Sequence, residues 1–316
     1  MNSCRLHELV LLTCLGCSFT LPAMAANDSP FRDGDRVVFL GDSITQIRQY
    51  TTHLECYLLQ KYPRWKLTFR NAGHGSDTAW LDQRAQALGM TTAALLKLGG
   101  KEQEEMVVRM VANGLNRDVL PLRPTVVTLM YGANDIRYVN TPDLHIRAMQ
   151  ELITQLRKAN ARVIVISASP EDPLDGEMNR RHEQFIAASR ALAEREKVPY
   201  VDQFHPVREA VQEARAKDPS FAFTTDGVHP QPHVHVMMAK AILQGLGLDV
   251  SQYNGETTPL LAKVKEKNDA YFRRWREIQL PAILAGKSED ADVKAKLAET
   301  DAQIAKLEAE SELLRK

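Results

Sequence analysis

The chain has 316 residues, 44% hydrophobic and 25% charged, which is an ordinary globular composition with room for one large core and an appendage. Lysine plus arginine and aspartate plus glutamate number 40 each, so the formal net charge at pH 7 is zero. A neutral chain argues against a dedicated nucleic-acid binder, which would carry a basic face.

The first 25 residues have the pattern of an export signal. Arg5 lies in a short polar start, an apolar run begins near Leu9, and residues 23–25 read Ala-Met-Ala, a small-x-small cleavage site. Polar residues and a proline interrupt the run, whereas a membrane span needs about 20 apolar residues. We therefore predict cleavage after Ala25, no membrane span, and a periplasmic or secreted protein.

Four cysteines are present, and three of them lie in the predicted signal. A lipoprotein anchored through Cys17 is the alternative to a free N-terminus, because Leu-Gly-Cys at 15–17 partly resembles a lipobox. Signal removal would leave Cys56 alone, so no disulfide could form within the mature chain. We interpret Cys56 as a buried small hydrophobic residue on a helix rather than a reactive thiol.

Five apolar runs predict strands, with amphipathic segments of helical length between them. Most runs are near-continuous valine, isoleucine and leucine, which is typical of strands buried on both faces of a parallel sheet. This alternation predicts a doubly wound, three-layer α/β/α sandwich with a mostly parallel sheet of about five strands. The predicted strands are 36–40, 66–71, 125–131, 162–168 and 198–202, and the clearest helices are 50–61, 104–116, 143–160, 179–197 and 233–246.

The sequence changes character after residue 247, so we predict a domain over 26–247 followed by a C-terminal helical extension over 248–316. One long helix is predicted from residue 260, with its stop at Pro281. The tail beyond residue 288 carries a short heptad pattern that Asp301 and Ser311 interrupt. We predict a solvated helix that packs on its own domain, with a dimerising coiled coil as the alternative. The heptad positions are Leu297, Ile304, Leu307 and Leu314.

Residues capable of chemistry follow the predicted strands, and this is the end of a doubly wound sheet at which ligands bind. The first strand ends in Gly-Asp-Ser at 41–43. There, Ser43 is either a cap of the next helix or a nucleophile presented by a sharp turn. The segment alone leaves both interpretations open.

A nucleophilic serine needs a histidine base, and the histidine needs an acceptor that orients it. Asp226 and His229 are three residues apart in a turn-rich segment, so one short piece of backbone could hold both. Asp226 as a helix N-cap is one alternative. A metal site with His233 and His235 is another, although side chains two residues apart on a helix point to different faces.

Acyl transfer also needs hydrogen-bond donors for an oxyanion. Asn134 follows Gly132 at the mouth of the third strand and could supply a side-chain amide, or could be a turn residue bonded to its own backbone. The glycines within 69–81 allow the backbone to approach a ligand closely, so an N–H of this segment could be a second donor. The N–H of Ser43, at a helix start, could be a third.

These segments resemble the four blocks that define the SGNH, or GDSL-type, esterase/lipase superfamily. The blocks read GDSIT, NAGHGSDT, YGANDIR and DGVHP, and they occur in family order within 37–246. The resemblance implies a flavodoxin-like sandwich with Ser43 as nucleophile, His229 as general base and Asp226 as its orienting acid. It also implies an oxyanion hole from the Ser43 N–H, the Asn134 amide and a second-block N–H. The register puts Ser76 there, where much of the family has glycine.

The resemblance leads us to expect an exported serine esterase that removes small acyl groups, acetyl first, from carbohydrates through an acyl-enzyme. No cofactor or metal is expected. The expected partner is a small acylated substrate, with a homodimer through the C-terminal helix as the coiled-coil alternative. A lysophospholipase or thioesterase is the second hypothesis, and a non-catalytic binding or scaffold protein on a hydrolase fold is the third.

Overall fold

The computed structural model describes residues 29–85 and 89–315, so the predicted export signal and Cys17 lie outside the described residues. Its five strands form one all-parallel sheet in the order β2-β1-β3-β4-β5, which confirms the predicted doubly wound fold. Each strand lies within or one residue beyond a predicted run. The strands are β1 Arg36–Gly41, β2 Thr68–Asn71, β3 Val126–Met130, β4 Arg162–Ile166 and β5 Tyr200–Val201.

Helices cover both faces of the sheet. One face is covered by α2 (Gln49–Lys61), α9 (Phe204–Lys217) and α10 (Pro232–Gly245), and the other by α5 (Gly100–Asp118), α7 (Asp143–Lys158) and α8 (Glu177–Glu196). Four one-turn helices complete the domain: α1 Ser43–Gln46, α3 Asp82–Ala85, α4 Thr92–Leu95 and α6 Asp135–Tyr138. No helix among the described residues is long and apolar enough to span a membrane.

The alternation of β1 shows why the chain needs two helical layers. Val37 and Phe39 lie in the core beneath α2 and α10, whereas Val38 and Leu40 lie in the core beneath α5 and α7. All four side chains are buried, so a helix layer on one face alone would leave half of the strand in water. Helix α9 was not among the predicted helices. It buries few apolar residues on its inner face, which makes its sequence pattern sparse.

The direction in which successive strands are added to the sheet reverses at β1. Connections from β1 lead outward to β2 on one side, and later to β3, β4 and β5 on the other. The strands on either side of this switch point splay their following loops apart and leave a crevice at their carboxyl ends. Gly41, the last residue of β1, pairs with Met130, the last residue of β3. The crevice therefore opens where the first and third sequence blocks begin.

The extension is helical and packs against the domain. It contains α11 (Pro259–Phe272), a π-helical segment (Arg273–Gln279) and α12 (Leu280–Leu284). The prediction that the long helix stops at Pro281 is wrong, because helix continues to Leu284. Proline has no N–H to donate to a carbonyl of the preceding turn. In a regular α-helix its ring also collides with the carbonyl four residues earlier. Here the wider π turn directly precedes Pro281 and changes the hydrogen-bond register before the ring.

The last helix, α13 (Ala291–Leu313), packs on its own chain as predicted. Ile304 and Leu307 are buried against Ala270 and Tyr271 of α11. Two of the four heptad positions are therefore used within the chain. The dimeric coiled coil stays a prediction.

A buried ion pair joins the extension to the domain. The Lys267 ammonium on α11 lies 2.7 and 2.8 Å from the two carboxylate oxygens of Glu55 on α2. Asn268 donates to the same carboxylate at 3.0 Å, and the side chains of Lys267 and Glu55 are only 2% and 6% exposed. Removing one partner of such a pair leaves a buried charge without compensation, which costs more than the pair itself contributes.

We expect Lys267→Met to lower the free energy of unfolding by about 3–5 kcal/mol, because Glu55 is left buried and unpaired. The double variant Glu55→Gln/Lys267→Met should recover most of the loss, since no charge remains at the site. Urea unfolding followed by circular dichroism measures both. Lys306→Met is the matched control, because Lys306 lies on α13 and is 76% exposed. A Lys267→Met variant as stable as this control would show that the extension is held by other contacts.

Candidate active site

The turn after β1 is built around a position that only glycine can fill. A Cβ on Gly41 would lie 2.3 Å from Thr45 Oγ1 and 2.7 Å from the Met130 carbonyl oxygen. Asp42 caps the following helix α1, with its carboxylate accepting from the Ile44 N–H at 2.9 Å. The cap interpretation of Ser43 is therefore not what the turn shows. Ser43 is the first residue of α1, and its hydroxyl contacts a histidine from a distant segment.

The structure brings Ser43, His229 and Asp226 together. His229 Nε2 lies 2.8 Å from Ser43 Oγ, and His229 Nδ1 lies 2.7 Å from Asp226 Oδ2. A carboxylate can only accept, so Nδ1 carries the proton and Nε2 is left free to accept from the serine hydroxyl. This is the geometry that a general base needs toward a nucleophile.

Asp226 caps a turn rather than a helix. Its Oδ1 accepts from the N–H groups of Val228 and His229 at 3.0 and 2.8 Å, and α10 begins later, at Pro232. The backbone bond from His229, followed by the bond to its imidazole, holds the pKa of Asp226 well below its usual range. The carboxylate therefore stays ionised as an acceptor for the imidazole throughout the neutral pH range.

Hydrogen bonds from outside the turn hold the segment that carries Asp226 and His229. The N–H of Asp172 donates to the Gly227 carbonyl at 2.8 Å. Arg215 on α9 donates twice to the Asp172 carboxylate, at 2.9 and 2.7 Å. A pair of parallel bonds of this kind fixes orientation as well as distance.

In the second block, the backbone N–H groups that precede Ser76 are bonded within the described chain. The N–H of Gly73 bonds the Asn71 side chain, that of His74 bonds the Gly41 carbonyl, and that of Gly75 bonds Gln46 Oε1. Ser76 is the next residue, and its N–H has no acceptor among residues 29–85 and 89–315.

Ser76 has a φ of 60°, the left-handed conformation that glycine adopts without strain. Much of the family has glycine at this position, and the serine here keeps the glycine-like backbone. Asn134 donates one amide hydrogen to the Asp77 carbonyl at 2.9 Å, and its other amide hydrogen has no acceptor among residues 29–85 and 89–315. The Ser43 N–H also lacks an acceptor in the described chain.

A buried ionic network that the sequence did not reveal supports this segment. Arg84 on α3 contacts Asp77 at 2.8 Å, Asp118 at 2.6 Å and the Ala72 carbonyl. The side chains of Arg84, Asp77 and Asp118 are fully buried. These buried contacts hold Asp77 in place, and with it the backbone of Ser76, which directly precedes it.

Asp135 of the third block belongs to a second set of aspartate, histidine and serine, which is buried and includes His145 of α7 and Ser189 of α8. Asp135 Oδ1 lies 2.7 Å from His145 Nδ1, and His145 Nε2 lies 3.1 Å from Ser189 Oγ. Each of the three residues is at most 6% exposed, so no substrate reaches them. Asp135 also accepts from the Ala79 N–H at 3.2 Å, which ties the third block to the second.

The candidate metal site is not assembled. His233 Nε2 donates to the Ala222 carbonyl at 2.8 Å. His235 is buried and stacks on Tyr50, and burial lowers its pKa to about 3. In the part of the chain that the structure describes, no three histidine, cysteine, aspartate or glutamate side chains are grouped to hold a metal ion.

The end of α1 is held by residues that carried no sequence signal. Arg48 has a φ of 70°, and it donates to the Gln46 carbonyl at 2.9 Å and to Asp269 of α11 at 3.0 Å. Its guanidinium lies 4.0 Å from the centroid of the Phe272 ring. Arg48 thus links the extension to the end of α1, which nothing in the spacing of the blocks indicated.

The protonation of Asp42 makes the stability of the fold depend on pH. The carboxyl is completely buried, and burial raises its pKa to about 7 against the opposing hydrogen bond from Ile44. The folded protein therefore holds a proton that the unfolded chain releases near 3.8, the ordinary pKa of an aspartate side chain. The stability from this group is complete below that value and is lost as the pH rises to about 7.

We expect the free energy of unfolding of the wild type, relative to Asp42→Asn, to fall by up to about 4 kcal/mol between pH 4 and pH 7. Asparagine keeps the cap and carries no titrating proton. Thermal or urea unfolding of both proteins across this range measures the difference. A difference that is constant with pH would show that Asp42 ionises at its ordinary pKa.

Comparisons with known proteins bear on the family and the fold of the chain. A profile of the GDSL-like lipase/acylhydrolase family matches residues 39–236, while no curated protein sequence matches. Among solved structures, a catalytic mutant of Axe2, an acetylxylan esterase from Geobacillus stearothermophilus, has 18% identity and a TM-score of 0.52 over 69% of this chain and 97% of its own. LAE5, an alpha/beta hydrolase enzyme from the metagenome of Lake Arreo, Spain, has 21% identity and a TM-score of 0.53 over 70% and 98%.

A third neighbour is a gut microbial diltiazem-metabolizing enzyme, with 24% identity and a TM-score of 0.53 over 70% of this chain. This chain spans 48% of that enzyme's length. At these identities the neighbours show the fold alone. The family profile covers more than half of the chain, including all four blocks. The chain therefore belongs to the GDSL-like lipase/acylhydrolase family and is a carboxylic ester hydrolase.

Proposed function

We propose that the chain is a serine esterase that hydrolyses small acyl esters through Ser43, His229 and Asp226. The observation that supports this most directly is the continuous hydrogen-bonded series Asp226–His229–Ser43, with distances of 2.7 and 2.8 Å. It lies at the carboxyl ends of the strands, in the crevice at the switch point between β1 and β3.

The reaction proceeds in two acyl-transfer steps. His229 takes the proton of Ser43 as its Oγ attacks the ester carbonyl, and the same imidazole then gives this proton to the leaving alcohol. Water activated by His229 next attacks the acyl-enzyme, and the acid is released with Ser43 restored. Asp226 keeps the imidazole in the tautomer that accepts from the serine and stabilises the imidazolium that forms.

The oxyanion is proposed to lie among the N–H of Ser43, the N–H of Ser76 and the free amide hydrogen of Asn134. Donors of this kind act when negative charge develops on the carbonyl oxygen, so they stabilise the transition state more than the bound ester. The two backbone donors have no competing acceptor in the described chain.

For the substrate, we propose an acetyl ester of a carbohydrate. The solved neighbours include acetylxylan esterase structures. The large cavity beside α1 has a mixed lining, since ten of its fifteen residues have polar side chains that could bond hydroxyl groups. Lysophospholipase or thioesterase activity remains the second hypothesis, and the chain length of the preferred acyl group discriminates between the two.

We further propose that the protein is exported, on the basis of residues 1–25. Expression of the full chain with its native N-terminus should give a mature protein that begins at Ala26. Intact-mass measurement after cell fractionation tests this. A mature protein that begins at a lipidated Cys17 would favour the lipoprotein, and an uncleaved cytoplasmic protein would contradict export.

We expect p-nitrophenyl acetate to be hydrolysed with a higher kcat/KM than the butyrate or octanoate ester. Ser43→Ala should lose about three or more orders of magnitude in kcat, because no other group can form the acyl-enzyme. Initial rates on the three esters measure both effects. Preference for octanoate would favour the lipid hypothesis. Equal rates for Ser43→Ala and wild type would contradict the mechanism.

In the same assay, Asn134→Ala should lower kcat by about 10²–10³ with a small change in KM, since the lost donor acts in the transition state. Asn113→Ala is the matched control, because the Asn113 amide bonds the Arg109 carbonyl on α5, away from the triad. A loss confined to KM would place Asn134 in substrate binding rather than in the oxyanion hole.

A further inference from the structure

A cleft of about 740 Å³ lies between the domain and the C-terminal extension. This volume is within the range of about 300–1,000 Å³ for ligand pockets. Its domain wall is formed by the ends of α1, α2 and α10, and its opposite wall by the loop 254–257 and by Leu261, Lys265 and Asp269 of α11. The extension residues lie beyond position 236, at which the family profile ends.

The cleft is lined by residues that follow Ser43 and His229 in the chain, while Ser43, Asp226 and His229 themselves do not line it. Ile47, which lines it, donates its N–H to the Ser43 carbonyl at 3.0 Å, one helical turn from the nucleophile. On the opposite side, Pro232 and His233 line the cleft three and four residues after His229. The cleft thus opens between the segments that carry the nucleophile and the base.

Its position relative to His229 indicates which part of an ester would enter it. In acyl transfer the imidazole protonates the leaving alcohol, so the alcohol must lie on the histidine side of the serine. The oxyanion donors Ser76 and Asn134 belong to the second and third blocks, neither of which lines the cleft. The alcohol part of the substrate therefore has the nearer access to the cleft.

The unsatisfied groups of the cleft include both acceptors and donors. Gln49 Oε1 is buried and has no donor in the described chain. Within residues 29–85 and 89–315, neither the Glu256 carboxylate nor the Lys265 ammonium has an ion-pair partner, whereas Arg48 and Asp269 neutralise each other. A ligand that only accepts hydrogen bonds, such as phosphate, would leave Gln49 unsatisfied.

Hydroxyl groups both donate and accept, so they match this mixture. The formal charges of the lining also cancel, since it contains Arg48 and Lys265 together with Asp269 and Glu256. The loop 254–257, which forms one wall of the cleft, is closely packed. Gly255 has a φ of 76°, and a Cβ there would lie 2.4 Å from Val236 Cγ1. The loop therefore packs directly against α10.

We propose that this cleft, completed by the C-terminal extension, binds the uncharged, hydroxyl-rich alcohol part of the ester, namely the sugar residues of an acetylated oligosaccharide. The proposal rests on the proposed function, because the bound ester must be cleaved by Ser43. It assigns to the extension a role in choosing the substrate, in addition to its packing against α2.

The test compares an acetylated xylo-oligosaccharide, which reaches the cleft, with p-nitrophenyl acetate, whose alcohol part is a single ring. The variants are Lys265→Met, which removes a donor, and Thr257→Trp, which places an indole at the exposed mouth of the cleft. Both should lower the ratio of kcat/KM for the oligosaccharide to kcat/KM for p-nitrophenyl acetate by at least about tenfold, mainly through KM. Lys306→Met, on the exposed face of α13, is the charge control.

Thermal unfolding of each variant separates a folding defect from a binding defect. A ratio equal to that of Lys306→Met in both folded variants would overturn the cleft proposal, while Ser43-dependent hydrolysis of p-nitrophenyl acetate would leave the proposed function standing. A fall in octanoate hydrolysis in place of oligosaccharide hydrolysis would also overturn it, because the cleft would then bind an acyl chain. If Ser43→Ala hydrolyses both esters like the wild type, the proposed function itself is wrong.

Discussion

The close approach between β1 and the first turn of α1 determines where the chemistry occurs. Gly41 leaves no space for a side chain against Thr45 and Met130, so β1 must end in a turn that is tight on both sides. The second block packs closely against the same helix, because a Cβ on Gly73 would lie 2.3 Å from the backbone nitrogen of Gln46. Two glycines thus fix α1 between β3 and the second block.

This constraint explains why the serine and its candidate oxyanion donors can be rigid although they come from distant parts of the chain. Gln46 accepts from the N–H of Gly75, and Ser76 follows with its own N–H free. The buried Arg84 then holds Asp77 in place. These short contacts fix the donor groups relative to α1. Donors in a rigid arrangement need not reorganise when negative charge develops on the carbonyl oxygen.

The C-terminal extension depends on the same region. Lys267 pairs with Glu55 on α2, and Asp269 pairs with Arg48 between α1 and α2. The two contacts differ in kind, because the first pair is buried and the second is partly exposed and screened by solvent. The buried pair fixes α11 against the domain, and the partly exposed pair brings the rim of the cleft beside the nucleophile helix.

The sequence predicted the parallel sheet and the order of the blocks because both depend on local patterns. Apolar runs mark buried strands, and Ser43, Asp226 and His229 belong to short segments with recognisable neighbours. The Glu55–Lys267 pair could not be predicted, since its partners are more than two hundred residues apart and each resembles a solvated charge on an amphipathic helix. The helix beyond Pro281 was missed because a π turn has no composition of its own.

The exposure of the triad also shows how its acid can act. The side chain of Asp226 is 52% exposed and that of His229 is 30% exposed, so water screens the charge between them. The main effect of Asp226 on His229 must then come from orientation rather than from Coulomb attraction. Orientation requires a rigid carboxylate, and here two backbone N–H groups and the Arg215–Asp172 contact beneath Gly227 supply that rigidity. An imidazole held by its own short loop can remain open to solvent, since burial is not what keeps it in place.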